Sequence, residues 1–366
     1  MSSTTSRPRL MIVGGFLGAG KTTTILAIAR MLRDRGLTFG IVTNDQGSDL
    51  VDTQFLRAHD LVVDEVTGGC FCCNFDQFAE ALAGYGDEVD VILAEPVGSC
   101  TDLVATLFRP LRSEKTKRFD LAPLAVVIDP RRARKYIAGK GSPEINYLFE
   151  KQCEEADVLL LNKTDTLGDD EMAALARALG ERFPGRTVLP VAARTGDGIP
   201  ALLDELGSGA HRDAKLDISY DRYGASEAAL GWLNLRAGIA GAAHLDPNEL
   251  ALEVLRRVGA ASRERSWEIA HAKIYLVGGL DHAKASLTDE TAQPTVDDTI
   301  AGHPDTLELV LNARIAAPHY HVLDERQRKA ENPRDKLAIL EEMYALLPKH
   351  KGTDKMQADL RRRISQ

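Results

Sequence analysis

An α/β fold with a mostly parallel sheet, followed by a smaller α+β domain, is what this sequence predicts, and three features carry the prediction. Short β-branched and apolar runs alternate with amphipathic segments over the first two hundred residues, the pattern of parallel strands joined by crossover helices. A glycine-rich turn lies at the first strand-to-helix junction, Gly15 to Thr22. Near residue 207 the alternation stops, and longer strand-like runs with fewer helices take over.

The elements follow in order. Arg9–Val13 is a short apolar strand, and Thr22–Asp34 recurs apolar at Ile25, Leu26, Ile28, Ala29 and Leu32, a helical spacing. Further strands are expected at Thr38–Thr43, Leu61–Val63, Val89–Ala94, Ala125–Ile128, Val158–Leu161 and Thr187–Val191. Helices are expected at Ser142–Glu155, with Pro143 in its first turn, and at Asp169–Arg182 after Gly168. Gly207-Ser208-Gly209 opens a polar stretch to Asp217 that reads as a linker, dividing the chain into 1–206, 207–217 and 218–366. The second domain is expected to hold strands at Ala229–Ala237, Glu268–Val277 and Thr306–Ala316 and a helix at Pro247–Val258. Thr288–Asp305 reads as a long exposed loop. The tail from Glu325 carries 11 basic and 7 acidic residues, and Leu337, Leu340, Met343, Leu346 and Leu347 recur there as a packed amphipathic helix would.

Composition narrows the function. Of 366 residues, 44% are hydrophobic and 27% charged, enough to bury a full core, and the net charge of −9 gives no general attraction to nucleic acid or to an anionic membrane. Met1 to Arg9 lacks the apolar run of an export signal, and runs such as Leu121–Ile128 are far too short to span a bilayer. The five cysteines are odd in number and three fall within four positions, which suits a reduced cytoplasmic chain with one thiol cluster.

The strongest motif is Gly15-Phe16-Leu17-Gly18-Ala19-Gly20-Lys21-Thr22, which fits the P-loop pattern between a strand and a helix and so predicts a P-loop NTPase fold. Gly15, Gly18 and Gly20 let the backbone turn so that its N–H groups face phosphate oxygens, and the helix start adds its positive end. Lys21 is expected to reach the β and γ phosphates and the Thr22 hydroxyl to hold Mg²⁺, with Ala19 and Thr23 completing the phosphate-facing set. Asn162-Lys163-Thr164-Asp165 follows an apolar strand. Asp165 can accept from guanine N1–H and the 2-amino group, a donor pair adenine lacks, so the nucleotide is GTP or GDP. Lys163 can lie along the base, Asn162 can tie the loop to the P-loop, and Val191-Ala192-Ala193-Arg194 offers backbone contact, through Ala193, over guanine O6.

Two segments read as switches. Glu95-Pro96-Val97-Gly98 ends the strand 89–94; Glu95 can orient a Mg²⁺-bound or attacking water and the Gly98 N–H can meet the γ-phosphate. Thr43-Asn44-Asp45-Gln46-Gly47 ends the second strand, with Asp45 a candidate Mg²⁺ partner. Gly68-Gly69-Cys70-Phe71-Cys72-Cys73-Asn74 packs three soft thiols after flexible glycines, a set suited to Zn²⁺, Cu(I) and, with less discrimination, Co²⁺ or Ni²⁺, with a fourth ligand from Asp45, Glu65, a histidine or water. A redox-active vicinal pair or simple packing are the other readings of that trio. Cys100 and Cys153 are isolated and read as packing.

In this order the P-loop, Cys-x-Cys-Cys, Glu95-x-x-Gly98 and Asn-Lys-x-Asp resemble the CobW family of GTPases, related to the HypB and UreG accessory GTPases, strongly over residues 9–206 and more loosely beyond. The resemblance implies slow GTP hydrolysis coupled to binding and delivery of Zn²⁺ or Co²⁺ to a client protein. It implies phosphate and Mg²⁺ contacts at Gly18, Gly20, Lys21 and Thr22, guanine contacts at Asn162 and Asp165, and metal on Cys70, Cys72 and Cys73. Departures are Asn44-Asp45-Gln46-Gly47 where the family usually has Asn-Glu-Phe-Gly, Pro96-Val97 where hydroxyl residues are usual, and only nine scattered histidines, with His319-Tyr320-His321 the nearest to a tract. A specialised client, such as a cobalamin-, corrinoid- or zinc-dependent enzyme, is the corresponding expectation, and a homodimer is left open. A non-catalytic metal sensor that keeps nucleotide as structure is the alternative; a small-molecule kinase is disfavoured by the guanine motif.

Overall fold

The computed structural model describes residues 7–45, 51–59, 61–86, 88–113, 118–213, 215–316, 332, 336–337, 340–341 and 354–365. The first elements are β1 (Arg9–Gly15), α1 (Lys21–Asp34), β2 (Phe39–Asp45), α2 (Val51–Arg57), β3 (Val63–Thr67), α3 (Phe75–Gly84) and β4 (Val91–Glu95). A π-helical turn at Val104–Phe108 runs into the short α4 (Arg109–Leu111), followed by β5 (Asp120–Leu121), β6 (Ala125–Ile128), α5 (Pro130–Ile137) and α6 (Pro143–Glu155). β7 (Val158–Leu161), α7 (Asp169–Arg182), β8 (Thr187–Pro190) and α8 (Ile199–Ser208) close the series.

The strands form one sheet in the order β3-β2-β4-β1-β6-β7-β8, with β5 also beside β1, and every pairing is parallel. The inner strands β4, β6 and β7 are buried along their whole length, which is why they read as unbroken apolar runs. The α1 stripe Ile25, Leu26, Ile28, Ala29 and Leu32 is buried as its spacing predicts. β1 sits where the strand order reverses, so the loops after β1, β2, β4 and β7 gather at the carboxyl edge, where such sheets take ligands. One strand lies further along than expected: β3 pairs Val63–Thr67 with Ile41–Asp45, not Leu61–Val63. It is an edge strand whose Asp64 is exposed, so its acidic residues broke the apolar run without ending the strand.

By internal contacts, residues 1–48, 59–141 and 148–218 make one compact unit, and 49–58, 142–147 and 219–366 the other. Within the first, the polar stretch after α8 is anchored: His211 Nδ1 meets Asp157 Oδ2 at 2.5 Å and Arg212 Nε donates to Asp157 Oδ1 at 3.0 Å.

The second unit holds α9 (Tyr220–Ala229), β9 (Leu230–Ala240), α10 (Pro247–Glu264), β10 (Glu268–Gly278), β11 (Asp281–Leu287), β12 (Thr295–Asp298), β13 (Thr306–Ala316) and α11 (Asp354–Ile364). Its antiparallel sheet runs β12-β11-β10-β13-β9. Asp246 caps α10 through the Asn248 and Glu249 N–H groups, and Ala251 and Leu255 pack on Ile274, Leu276, Leu287 and Leu311. α2 belongs here, with Asp52 paired to Lys273 at 2.6 Å and the Lys284 ammonium 3.5 Å from the centre of the Phe55 ring. Residues 288–305 are not the exposed loop the sequence suggested: β12 pairs with β11, and Asp289 and Ile300 are buried. Of the expected tail stripe, Leu340 is buried and Leu337 is 40% exposed, while Met343, Leu346, Leu347 and His319 to His321 lie outside the described residues. Among the described residues no helix is long and apolar enough to cross a membrane.

Candidate functional site

The turn after β1 is shaped by three glycines with positive φ: Gly15 (129°), Gly18 (74°) and Gly20 (101°). A Cβ on Gly15 would strike the Val127 carbonyl, and one on Gly20 would strike the Asn162 amide, so neither position admits a side chain. Gly20 stands at the start of α1 with no side-chain cap and no acidic residue in the first turn, which leaves a helix N-terminus suited to an anion. This backbone cradle fits a phosphate chain.

Four of the residues the motifs singled out meet beside it. The Thr22 hydroxyl donates to Glu95 Oε1 at 3.1 Å, and Lys21 Nζ stands 3.9 Å from the same oxygen. A Cβ on Gly98 would come within 2.8 Å of Lys21 Nζ and 3.1 Å of the Leu17 Cα, so the loop after β4 lies against both the lysine and the P-loop. Lys21, Thr22 and Glu95 are all buried. A hydroxyl and a carboxylate at this separation are hard oxygen donors of the kind Mg²⁺ takes. β2 ends at Asp45, whose side chain lies outside the described residues, as do Gln46 to Leu50. Thr23 is half-buried on α1.

The second half of the cradle is held by Asn162. Its Nδ2 donates to the Ala19 carbonyl at 2.9 Å, and its Oδ1 accepts from the Ala193 N–H at 3.1 Å. The Ala193 N–H is thus used to fix the segment after β8. Lys163, at φ 59°, reaches back to the Gly18 carbonyl at 2.9 Å and to Asp129 Oδ2 at 2.6 Å. Asp165 sits in the following 3₁₀ turn with its side chain exposed. Asp129 was missed by sequence reading, although Asp129-Pro130 after an apolar strand is a helix start signal. It caps α5 through the Arg131 and Arg132 N–H groups. Burial opposes its ionisation, but the Lys163 ammonium and those N–H donors outweigh it and hold the carboxyl below the usual range.

The thiol loop hangs from β2. Asn44 Nδ2 donates to the Val66 carbonyl at 3.1 Å and the Gly69 carbonyl at 2.8 Å, while its Oδ1 accepts from Phe71 N–H at 2.6 Å. Phe71 is buried and stacks on Phe78 at 4.1 Å, pinning the loop into the core between its cysteines. The Cys73 and Asn74 N–H groups turn back on the Cys70 carbonyl, and this turn gathers Cys70, Cys72 and Cys73 sulfurs to within 4.8 Å of one another. Their donor chemistry fits a soft divalent ion. Cys70 is buried, Cys72 half-buried and Cys73 exposed. Cys153 is fully buried in the core, as expected of a packing residue. Cys100 is buried too, beside Cys72, and does not join the three sulfurs that lie within 4.8 Å of one another. Hydrogen bonds from Cys100, Cys70 and Cys73, together with burial, push the Cys72 thiol up.

Residues 9–189 match the family model described as the CobW/HypB/UreG nucleotide-binding domain. The urease accessory protein UreG of Mycobacterium tuberculosis (strain ATCC 25177 / H37Ra) is 33% identical over 193 residues, 48% of this chain and 76% of the relative. UreG of Mycobacterium sp. (strain KMS) is 32% identical over 175 residues, 44% of this chain, which spans 66% of that relative's length. Among solved structures, the Zn(II)-bound YjiA GTPase from E. coli aligns over 94% of this chain and 100% of its own, at 14% identity and a TM-score of 0.35. With its glycine cradle, its Lys-Thr pair and its sequence match over the first domain, the chain belongs to the CobW/HypB/UreG family of P-loop GTPases.

Proposed function

We propose that this protein is a Mg²⁺-dependent, slowly hydrolysing GTPase that binds Zn²⁺ or Co²⁺ on Cys70, Cys72 and Cys73 and passes it to a client protein. The observation that carries the reading is the suspension of the thiol loop from Asn44, whose neighbour at the end of β2 is the candidate Mg²⁺ partner Asp45. A loop held in this way cannot move independently of the strand end.

In this reading the P-loop N–H groups, with Gly15, Gly18, Ala19, Gly20 and Thr23 in the cradle, bind the phosphates, and Lys21 neutralises the β and γ oxygens. Thr22, with Glu95 and the candidate partner Asp45, would hold a Mg²⁺ ion, which would supply charge neutralisation on the phosphate oxygens. Glu95 orients the attacking water and Gly98 N–H meets the γ-phosphate. Asn162 fixes the base loop, Lys163 lies along the base, Asp165 accepts from guanine and Ala193 borders O6. No further cation is aimed at the transition state by these residues, which suits slow turnover. A tenfold change in metal affinity between nucleotide states needs only about 1.4 kcal/mol of coupling. The recipient is a metalloenzyme, cobalamin-, corrinoid- or zinc-dependent, and the acidic chain and thiol trio suit the cytoplasm.

The test is an anaerobic titration of Zn²⁺ and Co²⁺ into protein loaded with Mg²⁺ and either a GTP analogue or GDP, beside a Cys70/Cys72/Cys73→Ser variant. A site that needs the cysteines and shifts at least tenfold with nucleotide supports a GTP-gated carrier; equal affinity in both states favours a sensor in which nucleotide is structural. Hydrolysis of GTP by Lys21→Ala at the wild-type rate would sink the catalytic part.

A further inference from the structure

The loop after β4 is gripped by one face of a single helix. Gln152 and Glu155 stand three positions apart near the end of α6 and so lie on the same side of it. Glu155 takes the far part of the loop, accepting from the Thr101 hydroxyl and the Leu103 N–H. Gln152 takes the part nearer the P-loop. Its Nε2 donates to the Gly98 carbonyl at 3.0 Å and to the Cys100 carbonyl at 2.8 Å. Gly98, Ser99 and Cys100 are buried, and Gln152 is only 2% exposed. Buried carbonyls need donors, and a primary amide carries two N–H groups; both are spent here, on acceptors two residues apart.

This clamp is kept at a cost. Gln152 Oε1 and the Ser99 hydroxyl are both buried without a hydrogen-bond partner among the described residues. Asp102, two residues beyond Cys100, has φ 63°, a left-handed conformation that a side chain disfavours. A loop with two unsatisfied polar groups and a strained residue persists only where its surroundings over-determine it, and α6 does so. What the clamp fixes is Gly98, where a Cβ would lie 2.8 Å from Lys21 Nζ and 3.1 Å from the Leu17 Cα.

We propose that Gln152 is a positioning residue for GTP hydrolysis: its amide holds the Gly98 backbone against Lys21, so that the Gly98 N–H and the Glu95 carboxylate are set for the γ-phosphate before the nucleotide arrives. The proposal rests on the reading that this loop serves the γ-phosphate. Gln152 exchanges no proton and forms no bond with the nucleotide; it acts through the two carbonyls alone. GDP has no γ-phosphate, so the clamp matters to turnover and to binding of a GTP analogue and leaves GDP binding almost untouched. A role confined to packing would weaken both nucleotides together.

The experiment compares full-length wild type, Gln152→Leu, Gln152→Glu and Glu95→Gln. Each is measured for kcat and KM in Mg²⁺-dependent GTP hydrolysis, for Kd with GDP and with a non-hydrolysable GTP analogue, and for its melting curve. Leu fills a similar volume and Glu keeps the shape, but neither offers the two N–H donors. Both Gln152 variants are expected to lower kcat by about tenfold or more, to weaken the analogue by about fivefold or more, and to change GDP affinity by less than about twofold. A folded Gln152→Leu with wild-type kcat overturns the inference, and so does an equal loss of GDP and analogue binding. Should Gln152→Glu unfold because it buries a charge, Gln152→Leu decides alone. Glu95→Gln tests the premise separately. If it keeps the wild-type kcat, the reading of the loop fails and the inference falls with it; if it is slow while folded Gln152→Leu is not, only the inference falls.

Discussion

Asn162 stands where a side chain on Gly20 would have to go, and its amide nitrogen donates to the carbonyl of the neighbouring Ala19 at 2.9 Å. The base loop and the phosphate loop are thereby one object. Gly20 also has φ 101°, so Gly20→Ala combines backbone strain with a collision. Strain of about 1–3 kcal/mol is expected, which is about five- to 150-fold in GDP affinity if the loop relaxes to escape it. Asn162→Ala deletes both buried hydrogen bonds and should lower stability by about 1–3 kcal/mol as well as weaken nucleotide. Calorimetric titration with GDP and melting curves check both; wild-type affinity in Gly20→Ala would show that the cradle tolerates a side chain.

Asp129 joins the same structure through Lys163 at 2.6 Å. Its carboxyl is held below the usual range, so the pair stabilises the fold above the unfolded carboxyl value of about 3.9 and loses that contribution as pH falls further. Asp129→Asn should therefore cost about 1–3 kcal/mol near neutral pH. The gap to wild type should close on acidification below about pH 4. Urea unfolding at several pH values measures it; a gap that is the same at pH 3 and pH 7 would mean the charge is not what matters.

The parallel sheet and the P-loop were legible because both are local. Inner strands are apolar throughout, and Gly15 to Thr22 declares its own geometry in eight consecutive residues. Asn162 and Lys163 were legible as a motif, but their partner Asp129 was not, since pairing 34 positions away is decided by the sheet order and not by spacing. That Cys100 lies beside Cys72 was hidden for the same reason. A cysteine isolated in sequence reads as filler, and only the adjacency of β2 to β4 brings its loop to the thiol turn. β11 and β12 were hidden because one alternates polar with small apolar residues and the other is a four-residue edge.

In the second unit, Glu227 and Arg314 are buried together at 3.6 Å, with the guanidinium 4.9 Å from the centre of the Trp232 ring. Removing one charge strands the other, so Arg314→Met alone should destabilise by about 3–5 kcal/mol. The double change Arg314→Met/Glu227→Leu should recover most of that loss, because two apolar side chains need no charge partner. Both tryptophans of the chain, Trp232 and Trp267, lie in this unit, so their fluorescence follows its unfolding specifically. A double variant no more stable than Arg314→Met would show that the pair does more than neutralise itself.

Glu155 makes the braced loop after β4 sensitive to pH. Its carboxylate accepts from the N–H of Leu103 at 2.6 Å and of Val104 at 3.4 Å, and from the Thr101 hydroxyl at 3.2 Å. Burial first, and the nearby Asp102 second, nevertheless push it up to about 8. The folded protein then holds a proton that the unfolded chain releases near pH 4.5. Stability from this site is complete below about pH 4.5, falls as pH rises towards about 8, and is level above that. The slope cannot exceed about 1.4 kcal/mol per pH unit, the value for one proton. Glu155→Gln removes the titration, so the wild type should lose ground to this variant across that window and run parallel to it above about pH 8. Because Gln152 of the same helix holds Gly98 and Cys100, GTP turnover in the wild type should acquire a pH dependence near 8 that Glu155→Gln lacks. Parallel stability curves from pH 5 to 8 would mean that Glu155 stays ionised, held by its three donors, and that the loop is braced by charge at every physiological pH.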